Sequence, residues 1–191
     1  MHFLGISGSL RRQSLNTAAL RACAKLLPPG VTLDLADISA IPLYNEEIRE
    51  QGLPAPVQAL REQIRTADAI IIATPEYNYS MPGVLKNAID WASRPPSQPF
   101  DGKPVALISA SPGGFGGARA QYHLRQVFIY LNGLILNRPE AMISAAHTKF
   151  DAQGALTDSA AADQLSALLA ALCDWTRQVA AGQAAAAKAQ P

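Results

Sequence analysis

The hydrophobic positions of this chain alternate between two periods. Short apolar runs predict five strands, at residues 3–7, 31–35, 69–73, 105–109 and within 134–144. Between them, apolar residues recur at helical spacing and predict five helices, at residues 14–27, 56–65, 84–92, 118–131 and 159–180. The run Ala69–Ala73 is apolar throughout, which is typical of a parallel strand covered on both faces. This alternation predicts a doubly wound α/β sandwich.

Three stretches depart from the regular alternation. In the last strand segment, Leu134–Leu136 and Ala141–Ile143 compete for the strand. The connection from Ile38 to Pro56 is long, and its length favours a functional or partner-contact role. The alanine-rich residues 183–191 at the end of the chain are expected to fray. We therefore expect a single domain over residues 1–182, followed by a frayed tail.

Three loops with ligand-binding chemistry follow predicted strands directly. They are Ser7–Asn16, Thr74–Ser80 and Ser109–Gly117. Ligands of doubly wound sheets bind outside the carboxyl ends of the strands, at the point where the strand order reverses. In the order 2-1-3-4-5, the strands that precede these loops are neighbours. We therefore expect the three loops to line one cleft.

The first of these loops has the composition of an anion site. It opens a predicted helix, whose first N–H groups lack intrahelical partners and lie at the positive end of the helix dipole. Ser14 and Asn16 can cap the helix and donate hydrogen bonds, and Arg11 or Arg12 supplies a cation. The loop has neither the P-loop pattern nor the G-x-G-x-x-G fingerprint. A hydroxyl-rich loop with one arginine suits a terminal monophosphate better than a pyrophosphate.

The other two loops suit a planar heterocycle. Pro75–Asn78 forms a turn past a buried strand, where Tyr77 and Asn78 can offer backbone N–H groups to the edge of a ring. Tyr77 or Tyr79 can supply flat contact area. The glycines of Ser111–Gly117 allow the third loop to lie flat beneath a ring, because glycine has no Cβ and accepts positive φ.

Composition narrows the class of protein further. The chain has 191 residues and a net charge of +1, so we expect one domain and neither a nucleic-acid nor a membrane partner. The two cysteines, Cys23 and Cys173, lie in helical patterns and are interpreted as buried thiols in a reducing compartment. Two distant cysteines and three histidines do not make a metal site. Since no signal-peptide pattern is present, a cytoplasmic location is expected.

Several motifs together resemble the NADPH-dependent FMN reductase family. They are Gly8–Asn16, Thr74–Asn78 and Pro82–Trp91, and Gly116–Gln126 resembles the branch of soluble quinone and chromate reductases. The likeness extends to about Ala180. It implies a flavodoxin-like three-layer sandwich with a five-stranded parallel sheet of order 2-1-3-4-5.

The resemblance also implies the cofactor and the residues that bind it. The cofactor is FMN, and the residues implied to bind it are Ser9, Arg11, Ser14, Leu15, Asn16, Pro75, Glu76, Tyr77, Asn78, Ser111, Gly113 and Gly114. The members in the first loop would hold the phosphate, those in the second the isoalloxazine, and those in the third its other edge. Phe115 adds a bulky side chain near the cleft mouth. No side chain is expected to be catalytic, because flavin carries the chemistry.

The implied activity is an FMN-dependent NAD(P)H oxidoreductase. A hydride passes from NADPH or NADH to flavin N5, and a small-molecule acceptor then takes two electrons in a ping-pong sequence. Quinones are the expected acceptors, with chromate or azo compounds as further ones. Two alternatives are a flavodoxin-like electron carrier and a reductase that supplies reduced FMN to a partner monooxygenase. The net charge of +1 argues against a carrier, which usually has an acidic docking surface.

The resemblance finally implies self-association, as a homodimer or a homotetramer. It places the helix segment that contains Lys86, Asn87, Asp90 and Trp91 at a dimer interface. Further subunit contacts would come from Arg125, Tyr130 and Glu140.

Overall fold

A six-stranded parallel sheet lies at the centre of the fold, which the computed structural model describes for residues 1–189. The strands are β1 (His2–Ser7), β2 (Thr32–Ala36), β3 (Ala69–Ala73), β4 (Pro104–Ala110), β5 (Leu134–Ile135) and β6 (Ala141–Ile143). The helices are α1 (Leu15–Leu26), α2 (Glu46–Glu50), α3 (Ala55–Thr66), α4 (Gly83–Ala92), α5 (Ala118–Tyr130) and α6 (Ser159–Lys188). A short 3₁₀ turn covers Ala146–Thr148.

The strand order is β2-β1-β3-β4-β5, which confirms the predicted fold class and topology. Both segments that compete for the fifth strand in the sequence pair with β4, one after the other. Leu134 and Ile135 pair with the beginning of β4, and Ala141–Ile143 pair with its end. Pro139, between them, has no N–H to donate to the ladder, which accounts for the interruption.

Helices cover both faces of the sheet because successive strand residues point to opposite sides. Phe3, Ile71 and Ile108 belong to the apolar cluster that α1 and α6 complete. Leu4 and Ile72 belong to the cluster that α3, α4 and α5 complete. Every residue of β3 is buried, as its unbroken apolar run predicts. The two clusters cover β1, β3 and β4, and the pairing register of these strands aligns their carboxyl ends.

The long connection between β2 and α3 contains one helical segment that the sequence pattern did not reveal. Asn45 caps this short helix, α2, and its side chain accepts a hydrogen bond from the N–H of Glu47. The connection is fastened to α4, because the side chains of Asn87 and Trp91 both donate to the carbonyl of Pro42, each at 2.8 Å. Trp91 is fully buried, so its ring packs inside this chain.

The last helix is longer than its hydrophobic pattern predicts. It continues to Lys188, whereas fraying was expected from residue 183. Alanine has the highest helix propensity, which favours continuation of the helix through this segment. Gln183 also fastens it, since its side-chain amide donates to the carbonyl of Gly102 at 3.0 Å. The part of the predicted tail at residues 190 and 191 lies outside the described residues.

The two cysteines are buried free thiols, as predicted. Burial raises the pKa of Cys23 to about 12, because the apolar surroundings disfavour the thiolate. Burial also raises the pKa of Cys173. Over residues 1–189, no helix is both long enough and apolar enough to cross a bilayer.

Candidate functional site

The three predicted loops meet in one cleft at the carboxyl edge of the sheet. Ser7 pairs with Ala73 and Ala73 with Ile108, so the loops after β1, β3 and β4 begin at the same level. The N–H of Gly8 donates to the carbonyl of Ala73 at 2.8 Å, which ties the first loop to the carboxyl end of β3. The cleft has a volume of about 240 Å³. Its lining consists of Ser9, Arg11, Ser14, Leu15, Asn16, Pro75, Glu76, Tyr77, Ala110, Ser111 and Pro112.

The structure brings together most of the predicted site residues. All those of the first loop line the cleft, but Asn78, Gly113 and Gly114 lie outside its wall. Two lining residues, Ala110 and Pro112, were missed. The sequence could have indicated both residues, because they flank Ser111 directly after the fourth predicted strand. The strands beside it in the predicted sheet are also followed by loops of the site. The contact of the predicted residues with FMN stays a prediction.

Ser14 begins α1 as predicted and shapes the anion side of the cleft. Its hydroxyl accepts a hydrogen bond from the N–H of Thr17 at 3.2 Å, which is the geometry of an N-cap. The N–H groups of Leu15 and Asn16 lie in the first turn, where no intrahelical partner exists. Arg11 lines the cleft and Arg12 does not, so Arg11 is the arginine positioned to bind an anion there.

Asn16 has a different role from the one predicted for its side chain. Its amide donates to the carbonyl of Ala110 at 2.9 Å and accepts from the N–H of Ala110 at 2.9 Å. Because both ends of the amide are engaged and the residue is only 3% exposed, the side chain holds α1 against the end of β4. The expectation that this side chain caps the helix is therefore wrong. Of the polar groups of Asn16, the backbone N–H in the first turn of α1 is the one left to bind an anion.

The second loop ends in a tight turn that engages one of the expected ring donors. The N–H of Tyr77 donates to the carbonyl of Ser80 at 2.9 Å, and the N–H of Ser80 donates back at 3.0 Å. Asn78 and Tyr79, between them, have φ values of 49° and 68°, as in a type I′ turn. The expectation that the N–H of Tyr77 is available to a ring is therefore wrong. The N–H of Asn78 lies at the corner of the turn and donates no backbone hydrogen bond within residues 1–189.

Glu76 is engaged by an arginine that the prediction of FMN contacts did not include. Its carboxylate accepts hydrogen bonds from the backbone N–H of Arg119 at 3.1 Å and from Nη1 of Arg119 at 2.8 Å. The guanidinium carbon lies 4.0 Å from the ring centre of Tyr79 and 4.2 Å from that of Phe115. The hydrogen bond to Glu76 raises the pKa of Arg119. These four residues, the Arg119 latch, join the second loop to the third at the lip of the cleft.

The family to which the chain belongs follows from comparison with known proteins. The family model of NADPH-dependent FMN reductases matches residues 1–148. The chain belongs to the NADPH-dependent FMN reductase family. Membership in this family, as predicted, makes the chain an oxidoreductase that uses FMN and a reduced nicotinamide nucleotide.

Individual members of the family are similar over almost the whole chain. An NAD(P)H-dependent FMN reductase of Pseudomonas aeruginosa is 60% identical over 176 residues, which are 92% of this chain and 95% of that one. A quinone reductase of Escherichia coli K12 is 46% identical over 175 residues, covering 90% of this chain and 93% of that one. Among solved structures, the flavoenzyme FerB, an NAD(P)H:(acceptor) oxidoreductase of Paracoccus denitrificans, has a TM-score of 0.85 and 36% identity and covers 93% of this chain and 97% of its own.

The cleft of this FMN reductase family member fits its cofactor. The backbone of Ser111 is fixed on both sides, because its N–H donates to Ile143 and its carbonyl accepts from Ala146, each at 3.0 Å. Beyond it, a Cβ on Gly114 would meet no atom within 4 Å, and one on Gly113 only the hydroxyl of Ser111 at 3.6 Å. Packing within the chain therefore does not require glycine at either position. Both glycines lie beyond the wall of the cleft, so the ring contact predicted for them stays a prediction.

The Arg119 latch leads to a first testable expectation. In Arg119→Ala, the carboxylate of Glu76, which is 12% exposed, would lose its guanidinium partner and keep only the backbone N–H of residue 119, so its negative charge at the cleft would be uncompensated. We expect the dissociation constant of FMN to rise about two- to fivefold, the range of a modest, partly exposed ion pair. Fluorescence titration of the apoprotein with FMN measures this.

Arg177→Ala is the matched control for this latch variant. It removes an arginine that pairs with Asp174 on α6, far along the chain from the cleft, so FMN affinity should not change. Arg119→Lys should not restore the parent affinity, because lysine lacks the planar fork that lies between two rings. Unchanged affinity in Arg119→Ala would show that the latch does not support the cleft.

Proposed function

We propose that this chain is an FMN-dependent NAD(P)H oxidoreductase that delivers two electrons to quinones by a ping-pong mechanism, with chromate and azo compounds as further acceptors. The observation that carries the proposal is the single cleft in which a helix N-terminus, Arg11 and a glycine-rich loop converge. Bound there, FMN would supply hydride acceptance from the nicotinamide and electron delivery to the acceptor. The names of the quinone reductase and FMN reductase relatives support the choice of acceptor.

In this proposal the first loop binds the phosphate of FMN. The guanidinium of Arg11 and the hydroxyls of Ser9 and Ser14 donate to phosphate oxygens, together with the first-turn N–H groups of Leu15 and Asn16. Donors of this kind favour a dianion because the helix dipole and a fixed cation act on the same group. The buried amide pair between Asn16 and Ala110 keeps the helix N-terminus at a constant distance from the third loop.

The second and third loops hold the ring. Pro75 and the turn from Glu76 to Asn78 lie against one edge, and Ser111 with the glycines after it lies against the other. Negative charge that develops on a reduced ring needs preorganised donors. The N–H of Asn78 at the corner of its turn can serve as one. Because Arg119 neutralises Glu76, the ring does not face an unpaired carboxylate.

The proposal includes a homodimer or homotetramer in the cytoplasm. Exposed apolar side chains on the surface support self-association: Leu43 is 82% exposed, Ile129 79% and Tyr130 88%. Two buried free thiols are typical of a reducing compartment. Light scattering at micromolar concentration tests the assembly, and a monomer would overturn that part of the proposal.

One experiment separates the proposed enzyme from the alternatives. The purified protein, reconstituted with FMN, is titrated anaerobically with NADPH or NADH and then given a benzoquinone, chromate or an azo dye. We expect bleaching of the flavin absorbance by the nucleotide and its return with the quinone, with parallel double-reciprocal lines in steady state. Protein that cannot be reconstituted with FMN would overturn the proposal. Bleaching without turnover of any acceptor would favour an electron carrier, and release of reduced FMN would favour a supplier of a monooxygenase.

A further inference from the structure

A second, positively charged cleft adjoins the FMN cleft on the side of the phosphate loop. It has a volume of about 620 Å³, and Arg11, Arg12, Arg21 and His147 line it. It shares the lining residues Arg11, Ser14 and Leu15 with the FMN cleft, so the two clefts are neighbours. We call it the cationic cleft.

The charge of the cationic cleft is not compensated within the protein. Among residues 1–189, no carboxylate lies within ion-pair distance of Arg11, Arg12 or Arg21. Asp151 also lines the cleft, but one oxygen of its carboxylate accepts the N–H groups of Gln153 and Ala155, at 2.9 and 2.8 Å. Three guanidinium forks around one concavity are suited to a phosphate, which they bind through paired hydrogen bonds.

The walls of the cationic cleft are built from elements that also build the FMN cleft. Arg21 lies on α1 three residues after Ala18, so both lining residues lie on one helix face. The opposite wall is the 3₁₀ turn at Ala146–Thr148 and the nearly buried ring of Phe150. The N–H of Ala146 donates to the carbonyl of Ser111, so this wall is tied to the third loop.

FMN does not account for these arginines. Arg11 and the N-terminus of α1 already face the FMN cleft, whereas Arg12 and Arg21 line the cationic cleft and not the FMN cleft. The remaining reactant that brings phosphate is the nicotinamide nucleotide. NADPH differs from NADH only by a phosphate on the 2′-oxygen of its adenosine, so a separate phosphate site beside the flavin discriminates between them.

We propose that the cationic cleft binds the 2′-phosphate of NADPH, through Arg12 and Arg21, and makes NADPH the preferred electron donor. This rests on the proposed function, because it requires the nicotinamide of the same molecule to reach FMN in the neighbouring cleft. Arg11, at the boundary, faces both phosphates.

The test compares the FMN-loaded parent with the double variant Arg12→Ala, Arg21→Ala. We expect the KM for NADPH to rise about tenfold or more, the effect of losing one or two charge-assisted hydrogen bonds. The KM for NADH and the dissociation constant of FMN should be unchanged. By calorimetry, adenosine 2′,5′-bisphosphate should bind the parent holoenzyme more tightly than adenosine 5′-phosphate does, and the variant should lose that difference.

Lys25→Ala is the matched control, because it removes a cation from the same helix four residues beyond Arg21 and outside the cationic cleft. It should leave both donors unaffected. The inference is overturned if the double variant retains FMN but keeps its donor preference, if Lys25→Ala lowers NADPH use equally, or if the double variant loses FMN affinity, which would assign the cleft to the FMN phosphate. A parent protein that binds adenosine 2′,5′-bisphosphate but never FMN would instead overturn the proposed function.

Discussion

Arg11→Ala is expected to raise the dissociation constant of FMN about 10- to 100-fold, the loss that corresponds to one or two charge-assisted hydrogen bonds to a phosphate. The guanidinium of Arg11 lines the FMN cleft beside the first turn of α1, where it adds a full charge to the partial charge of the helix. The substitution leaves the ring side of the cleft intact. The rate of flavin reduction at saturating FMN should therefore change much less than the affinity.

Arg12→Ala is the control for this expectation, because Arg12 is the neighbouring residue and lines only the cationic cleft. It should bind FMN as tightly as the parent. Arg11→Lys should give intermediate affinity, since lysine keeps the charge but loses the bidentate fork. Fluorescence titration of each apoprotein with FMN provides the constants, and stopped-flow reduction provides the rate. Equal FMN affinity in Arg11→Ala and the parent would contradict the phosphate assignment.

Asn16→Leu is expected to lower the free energy of unfolding by about 2–5 kcal/mol, because two buried backbone groups would lose their partners. The N–H and carbonyl of Ala110, a residue that is 3% exposed, both bind the Asn16 amide. Leucine keeps the branched shape of asparagine and leaves no cavity, so the loss comes from unpaired polar groups, with crowding by the larger side chain added to it. Urea denaturation monitored by circular dichroism measures the change.

Two companion variants of Asn16→Leu separate the hydrogen bonds from other effects. Gln13→Leu alters an exposed neighbour in the same loop and should change stability by about 0.5 kcal/mol or less. Asn16→Asp keeps the acceptor for the N–H of Ala110 but turns an oxygen toward its carbonyl, so it should also be strongly destabilised. If Asn16→Asp were as stable as the parent, the paired amide would not be what holds α1 against β4.

The order of helices and strands could be predicted because each follows from local periodicity. Every residue of β3 is apolar and buried, and the N-cap at Ser14 precedes a run of helical spacing. The convergence of three loops followed from topology alone, since parallel neighbouring strands end at one edge. Periodicity could not decide between Leu134–Leu136 and Ala141–Ile143. Both extend the same edge of β4 at different heights, which only pairing reveals.

The individual contacts of the site could not be read from local patterns. The sequence predicts that Asn16 caps a helix or binds a ligand, but its side chain bonds to the backbone of Ala110, 94 positions later. The family resemblance predicts that Glu76 contacts the isoalloxazine ring, but its carboxylate binds Arg119, 43 positions later. Tyr77 reads as a free donor, but its N–H closes a turn with Ser80. In each case a polar group bonds to a partner that the fold brings next to it, and the local sequence pattern does not name that partner.

The amino-acid sequence by itself determined the doubly wound fold, the family and the segments that form the cleft. Hydrophobic periodicity and small residues after strands are patterns of a few neighbouring positions, so they can be recognised in the sequence alone. Only the tertiary structure decided that Arg11 lines both the FMN cleft and the cationic cleft while Arg12 lines the cationic cleft and not the FMN cleft. Two adjacent arginines are equivalent in a sequence, and they differ here because the loop between β1 and α1 gives each of them different neighbours in space.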